Sequence, residues 1–144
     1  FLSLLILDNT DNSDYFFYKF NISKKDQKRI KLLKKFYFSK KPPIKLNSQN
    51  LWKILYVSGK EGLIDILNYK IYTLKKFDKN FVNQMNYFKD KEIPKLKVTG
   101  DDLINKFGIP QGEKVGQKLK QIESFWINNN FKISDKDLKK ILKN

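Results

Sequence analysis

The sequence contains neither cysteine nor histidine. These absences exclude disulfides, cysteine nucleophiles, thiolate or imidazole zinc sites and histidine acid–base catalysis. No apolar run approaches the roughly 18 residues that a membrane-spanning helix needs, and the opening FLSLLIL lacks the basic flank of a signal peptide. A cytoplasmic protein without a membrane partner is therefore expected. Because the chain opens on Phe1 and not on methionine, we also expect a fragment whose N-terminal part is missing.

Acidic residues are scarce, since 15 of them stand against 30 basic ones and leave a formal net charge of +15. Such a surface attracts polyanions, of which nucleic acid is the commonest. AT-rich coding would also enrich lysine, and Arg29 is the single arginine. The charge is uneven, however, because residues 19–46 hold eleven basic residues and one acid, Asp26. Codon bias should spread charge evenly, so this distribution favours nucleic-acid binding.

Signals that start helices recur along the chain. A serine or threonine followed three residues later by an acid forms a capping box, in which each side chain bonds a free backbone amide. Four such pairs are present: Ser23 with Asp26, Ser58 with Glu61, Thr99 with Asp102, and Ser134 with Asp137. Apolar residues follow each pair at helical spacing. With further helices expected near 13–20, 49–57 and 79–92, the sequence predicts an all-α array of seven or eight short helices without a convincing sheet.

Four lysines share one side of the helix that begins after Ser23. This lysine row consists of Lys24, Lys28, Lys31 and Lys35. The opposite side carries Ile30, Leu33 and Tyr37, so the helix would bury that side and expose the lysines. Ammonium groups in such a row can follow a phosphate backbone. The alternative is an amphipathic helix whose charged side is only solvated.

Three glycines lie at four-residue intervals in VTGDDLINKFGIPQGEKVGQKL, residues 98–119: Gly108, Gly112 and Gly116. Glycine in a helix interior costs about 1 kcal/mol relative to alanine, so another requirement must keep them. Gly108 fits the left-handed position after a helix capped by Thr99. Gly112 would precede a second helix, and Gly116 would let another backbone approach closely. The pattern predicts a helix–turn–helix with glycine at both joints.

The first turn of that second helix is a candidate anion site. Its free amides would point outward beside Lys114 and Lys118. We therefore count these two lysines and the three glycines, with the lysine row, as candidate RNA-binding residues. The alternative is a tight helical hairpin whose glycines serve packing alone.

Aromatic residues make up 15% of the sequence. Aromatic side chains exposed between lysines could stack on nucleobases, although most are expected in the core. The candidates are Phe16, Phe17, Tyr18, Phe36, Tyr37, Phe38, Phe125 and Trp126.

Acidic residues give no persuasive catalytic or metal site. Asp26 and Arg29 could read a nucleotide, but their spacing of three favours a local ion pair. Asp101 and Asp102 suggest a metal, yet a helix N-terminus favours acids anyway and no third ligand is evident. We assign no catalytic residue and no metal ligand.

Residues 94–131, PKLKVTGDDLINKFGIPQGEKVGQKLKQIESFWINNNF, resemble the C-terminal region of bacterial tRNA nucleotidyltransferases of the CCA-adding and poly(A) polymerase family. The matching residues are Gly100, Asp102, Leu103, Gly108, Pro110, Gly112, Gly116, Leu119 and Trp126. The family has glycine directly after the proline, whereas Gln111 intervenes here. The upstream FNISKKDQKRIKLL resembles a helix of the proteobacterial members.

The resemblance implies that this chain is the part of such an enzyme that positions tRNA. Residues 1–95 would form a body-like RNA-binding region, and residues 96–144 a tail-like subdomain that contains the helix–turn–helix. The catalytic head would be absent, and Mg²⁺ with ATP or CTP would belong to that head, so this fragment would bind no cofactor. The expected partner is tRNA from acceptor arm to elbow, held through its phosphates for CCA addition or poly(A) addition at the 3′ end.

Two other function classes stay open. The turn between residues 103 and 119 has some likeness to a helix–hairpin–helix, so the chain could be a DNA-binding module. It could also be a non-catalytic structural or dimerising domain whose charge reflects codon drift. Similar affinity for duplex DNA and tRNA would favour the first class. No RNA binding, with a concentration-dependent mass, would favour the second.

Overall fold

The computed structural model describes residues 12–38, 44–74, 76 and 78–143. In these residues it contains seven α-helices and no strand, which confirms the predicted all-α class. The helices are α1 (Ser13–Lys19), α2 (Lys24–Tyr37), α3 (Ser48–Thr73), α4 (Lys79–Lys89), α5 (Gly100–Phe107), α6 (Glu113–Asn128) and α7 (Asp135–Lys143). The opening FLSLLIL and part of the basic stretch, residues 39–43, lie outside the described residues.

The helices divide into two compact units, residues 1–93 and residues 94–144. The first unit contains α1 to α4 and the second contains α5 to α7, each around its own apolar core. The roles assigned to residues 1–95 and 96–144, an RNA-binding body and a tail, stay predictions.

Helix α3 forms the centre of the first unit because it carries apolar side chains on more than one side. It begins after Asn47, whose side-chain oxygen accepts a hydrogen bond from the Asn50 N–H at 2.9 Å. Five of its apolar side chains are fully buried: Leu51, Leu55, Leu63, Ile66 and Leu67. Helix α2 packs against α3 at one side, and α4 packs against it through contacts that include the Trp52 and Phe88 rings, 5.1 Å apart.

Gly59 bends α3 where the sequence predicts a break between two helices. Its φ of 71° and ψ of 177° are non-helical, and a positive φ of this size favours glycine. Helical residues resume at once, so α3 consists of two helical segments that meet at a kink where the break is predicted.

Gly62 allows α2 to approach α3 closely. A Cβ added at Gly62 would lie 2.8 Å from the Leu32 Cδ2 atom, nearer than real side chains come. Beside this contact, the Tyr37 hydroxyl donates a hydrogen bond to the Ile66 carbonyl. Burial raises the pKa of Tyr37, so this hydroxyl stays protonated and continues to donate.

The second unit is held by short, well-capped helices around a small core. The fully buried Leu103 and Ile122 form its centre, with Val115 and Leu138 beside them. The capping boxes predicted at Thr99 and Ser134 are both present, each with reciprocal hydrogen bonds to the aspartate three residues on. Helices of 8 and 9 residues are marginal alone, so these caps and the shared core are needed together.

The capping box at Thr99 predicts a stability that depends on pH. Hydrogen bonds from Lys106 and Thr99 hold the pKa of Asp102 well below its usual value. Because the folded pKa is depressed, the stabilisation is present above the unfolded pKa of about 3.9 and is lost as pH falls through the folded value. Asp102→Asn should lower the melting temperature near neutral pH, and the melting temperature of the variant should fall less as the solution is acidified. Circular dichroism measures both effects.

The control for this prediction is Asp101→Asn, which removes the same charge from the neighbouring exposed position outside the box. A larger loss from Asp101→Asn than from Asp102→Asn would contradict the prediction.

Candidate nucleic-acid interface

The lysine row lies on the solvent side of α2. Its four side chains are exposed, whereas Ile30 and Leu33 on the opposite side are each 4% exposed. Ser23 fixes the start of the helix by accepting a hydrogen bond from the Asp26 N–H at 3.1 Å. The predicted division of α2 into a buried and a basic side is therefore confirmed.

Acids of α3 bind the basic residues that α2 turns toward it. Arg29 donates two hydrogen bonds of 2.7 Å to Asp65, and Lys25 Nζ lies 3.2 Å from a Glu61 oxygen. The hydrogen bond with Asp65 raises the pKa of Arg29, which therefore stays charged. Arg29 also lies 3.6 Å from Asp26, so the predicted local ion pair is confirmed, although Asp65 is the closer partner. These basic groups are engaged in holding α2 on α3.

The four lysines of the row differ in whether a nearby carboxylate neutralises them. Within the described part of the chain, no ion pair joins a carboxylate to Lys24, Lys28 or Lys35. Lys31 differs, because its ammonium lies 3.2 Å from Asp14 and 5.5 Å from the centre of the Phe17 ring. At about 1.5 Å per residue, Lys24 and Lys35 are about 16 Å apart along the helix axis. The row thus offers separated cations to an extended polyanion.

The glycine-rich turn joins α5 to α6 as the sequence predicts. Gly108 follows α5 in the left-handed conformation, with φ 67° and ψ 24°, and its N–H donates to the Ile104 carbonyl at 3.1 Å. Gly112 immediately precedes α6 with φ 128° and ψ −152°, a conformation open to glycine. Both predicted joints are confirmed.

The prediction that Gly116 lets another backbone approach is wrong. A Cβ at Gly116 would meet no described heavy atom within 4 Å, and the same is true at Gly108 and Gly112. Gly116 is exposed on the surface of α6. At Gly100, a Cβ would lie 3.4 Å from the Val115 Cγ1 atom, which is an ordinary van der Waals contact.

The first turn of α6 combines features that favour and oppose an anion. Lys114 is exposed beside it, as predicted. Lys118, by contrast, donates from Nζ to the Ile141 carbonyl at 3.1 Å, near the end of α7, where a cation is favoured. Glu113 occupies the first position of α6 and accepts a hydrogen bond from Gln117. Of the two predicted lysines, Lys118 is bonded within the second unit, whereas Lys114 makes no hydrogen bond or ion pair with the described residues.

The structure does not gather ligands for a metal. Among residues 12–38, 44–74, 76 and 78–143, no group of three or more aspartates and glutamates is placed to hold one. Asp102 binds Thr99 and the Lys106 ammonium, so it is unavailable as a partner for Asp101. None of the described helices has the length and apolar content to cross a lipid bilayer.

Most of the candidate aromatic residues belong to the core. Of the eight, six are buried or packed against a core, whereas Tyr18 is 87% and Phe125 37% exposed. Sequence reasoning overlooked Tyr15 and Phe20, which are each 58% exposed near Tyr18. The helical period could have indicated Tyr15, because burying Phe17 and Ser13 on one side of α1 turns Tyr15 outward, whereas Phe20 lies just beyond the helix.

Comparison with known proteins extends the resemblance to almost the whole chain. The sequence matches the family model of tRNA nucleotidyltransferase domain 2 over residues 1–142. No curated protein and no solved structure matches it. The family match covers both units, including the lysine row and the glycine-rich turn.

Gly108 and Gly116 differ in backbone conformation, so replacing each with alanine should change the stability of the chain in opposite directions. Gly108→Ala should destabilise the chain by about 1–2 kcal/mol, because alanine resists the left-handed conformation. Gly116→Ala should stabilise it by up to about 1 kcal/mol, because Gly116 is helical, exposed and unobstructed. Urea denaturation followed by circular dichroism measures both. Destabilisation by Gly116→Ala would restore the close-approach role that the geometry rejects.

Proposed function

We propose that this chain, which belongs to the tRNA nucleotidyltransferase domain 2 family, binds tRNA and positions its acceptor arm for nucleotide addition at the 3′ end. The reaction would be of the CCA-adding or poly(A) type, with its chemistry in a separate catalytic head. The contribution of residues 12–143 is to hold the RNA. Mg²⁺ and ATP or CTP would bind in that head.

The exposed lysine row is the observation that supports this proposal. Lys24, Lys28 and Lys35 are not neutralised by carboxylates of the described residues, whereas Arg29 and Lys25 are. Cations that bind phosphates release condensed counterions, and this release supplies much of the affinity for nucleic acid. The row would therefore bind the RNA backbone without reading its bases.

The glycine-rich turn is the second proposed contact. Gly108 and Gly112 expose backbone without side chains between two helices, and Gly116 leaves the start of α6 uncovered. Lys114 lies exposed beside the first amides of α6, which carry a partial positive charge. A phosphate could approach these amides closely. Lys118 would act indirectly, by holding α7 against α6.

The decisive experiment compares tRNA with a duplex DNA of equal charge. Both are titrated with the 144-residue chain at several salt concentrations. Tighter binding to tRNA that persists as salt rises is expected, because A-form RNA is recognised by its shape and its 2′-hydroxyls. Equal affinities that fade together would instead favour generic charge binding or the DNA-binding alternative. No binding to either would contradict the proposal.

The lysine row itself predicts a change in salt dependence. Lys28→Ala combined with Lys35→Ala should reduce the slope of log affinity for tRNA against log salt by roughly two, one for each lost phosphate contact. Folding should be unaffected, because both side chains are exposed.

The matched control combines Lys79→Ala with Lys89→Ala, two exposed lysines of α4. It removes the same net charge, so it separates contact from overall attraction. If both double variants change the slope equally, the lysine row is not the contact.

A further inference from the structure

Helix α1 presents aromatic side chains to solvent instead of burying them. Tyr18 is 87% exposed, and Tyr15 and Phe20 are each 58% exposed. Three exposed rings within six residues form a patch of the kind that marks an interaction site. Tyr15 and Tyr18 line an open depression of about 860 Å³, together with Lys19 and, from α2, Gln27.

The backbone under these rings is held in place. Phe17, on the opposite side of α1, is buried at 5% exposure. The Ile22 N–H donates to the Phe17 carbonyl at 3.0 Å, and the Gln27 side chain donates to the Ile22 carbonyl at 2.8 Å. Lys34 Nζ donates to the Ser13 hydroxyl at 3.1 Å, which ties the start of α1 to α2. A partner that binds here would find the backbone of α1 already ordered, which reduces the entropy lost on binding.

The ammonium group of Lys19 lies beside the aromatic patch. The Lys19 ammonium lies 5.5 Å from the centre of the Tyr15 ring and 5.9 Å from that of Phe20, within the range of a cation–π contact. Lys31 of the lysine row reaches the depression, because its ammonium lies 3.2 Å from Asp14, which lines it. Asp14 is the acid in the lining of the depression, and Lys31 neutralises it.

We propose that Tyr15 and Tyr18, assisted by Lys19, form a stacking platform for an unpaired nucleobase of the RNA whose phosphates the lysine row binds. The proposal rests on the RNA-binding function above and adds the part of the RNA that contacts α1. Rings beside ammonium groups suit a nucleotide, since the base stacks while its phosphate meets the cation. Stacking tolerates any base, so the platform recognises a lack of pairing and not a sequence.

The test uses two RNA hairpins with single-stranded 3′ extensions of equal length. One extension carries ordinary nucleotides and the other carries abasic ones, so the phosphates match and only the bases differ. Stacking on an aromatic side chain should make the chain bind the base-bearing hairpin roughly tenfold more tightly. Tyr15→Ala combined with Tyr18→Ala should abolish this difference and leave affinity for the abasic hairpin unchanged.

Two control variants define the contact. Tyr18→Phe keeps the ring and should keep the preference for the base-bearing hairpin. Tyr72→Ala removes a ring that is 68% exposed on α3, away from the depression lining, and should change neither affinity. Thermal melting checks that each variant is folded. If the double variant melts early, Tyr18→Ala alone replaces it, since that side chain is the most exposed of the three.

The outcomes separate this inference from the proposed function. Equal, salt-sensitive binding of both hairpins by the unmodified chain would overturn the stacking platform and leave phosphate binding intact. A double variant that weakens both hairpins equally would also overturn it. Binding of neither hairpin would overturn the platform and the RNA-binding function together.

Discussion

The contact between α2 and α3 determines which charges this protein offers to a partner. Gly62 lets the two helices approach, and Leu32 occupies the space that a side chain there would need. Apolar packing alone leaves a helix some freedom to rotate about its axis. Arg29 removes that freedom through two parallel hydrogen bonds to Asp65, because such a pair is directional as well as strong. The lysine row faces solvent as a consequence.

Local patterns were sufficient to predict the helices and the two sides of α2. A capping residue accepts a hydrogen bond from a backbone amide within the same turn. The bonds made by Ser23, Thr99 and Ser134 each span three residues, so they can be predicted from the sequence alone. The left-handed glycine after α5 is equally local, because a helix end needs that conformation whatever surrounds it. The all-α fold class could be predicted because capping residues and helix-ending glycines act over only a few residues.

The partners of individual charges could not be predicted, since they depend on residues distant in sequence. Asp65 is 36 positions from Arg29, and Ile141 is 23 positions from Lys118. Nothing local distinguishes Lys25, which pairs with Glu61, from Lys24, which pairs with no carboxylate of the described residues. The same limit explains the error at Gly116, because only the packed structure shows which side of α6 faces the core. A net charge of +15 therefore overstates the number of cations free to bind.

In α2, the side chains that hold the helix on α3 differ from the side chains that present positive charge to solvent. Ile30, Leu33 and Arg29 hold it on α3, whereas the lysine row makes no ion pair with the described residues of α3. Mutations can therefore add or remove ammonium groups along the row while the core stays unchanged. The charge of this surface, and with it the salt dependence of binding to a polyanion, can therefore change without an unstable intermediate sequence.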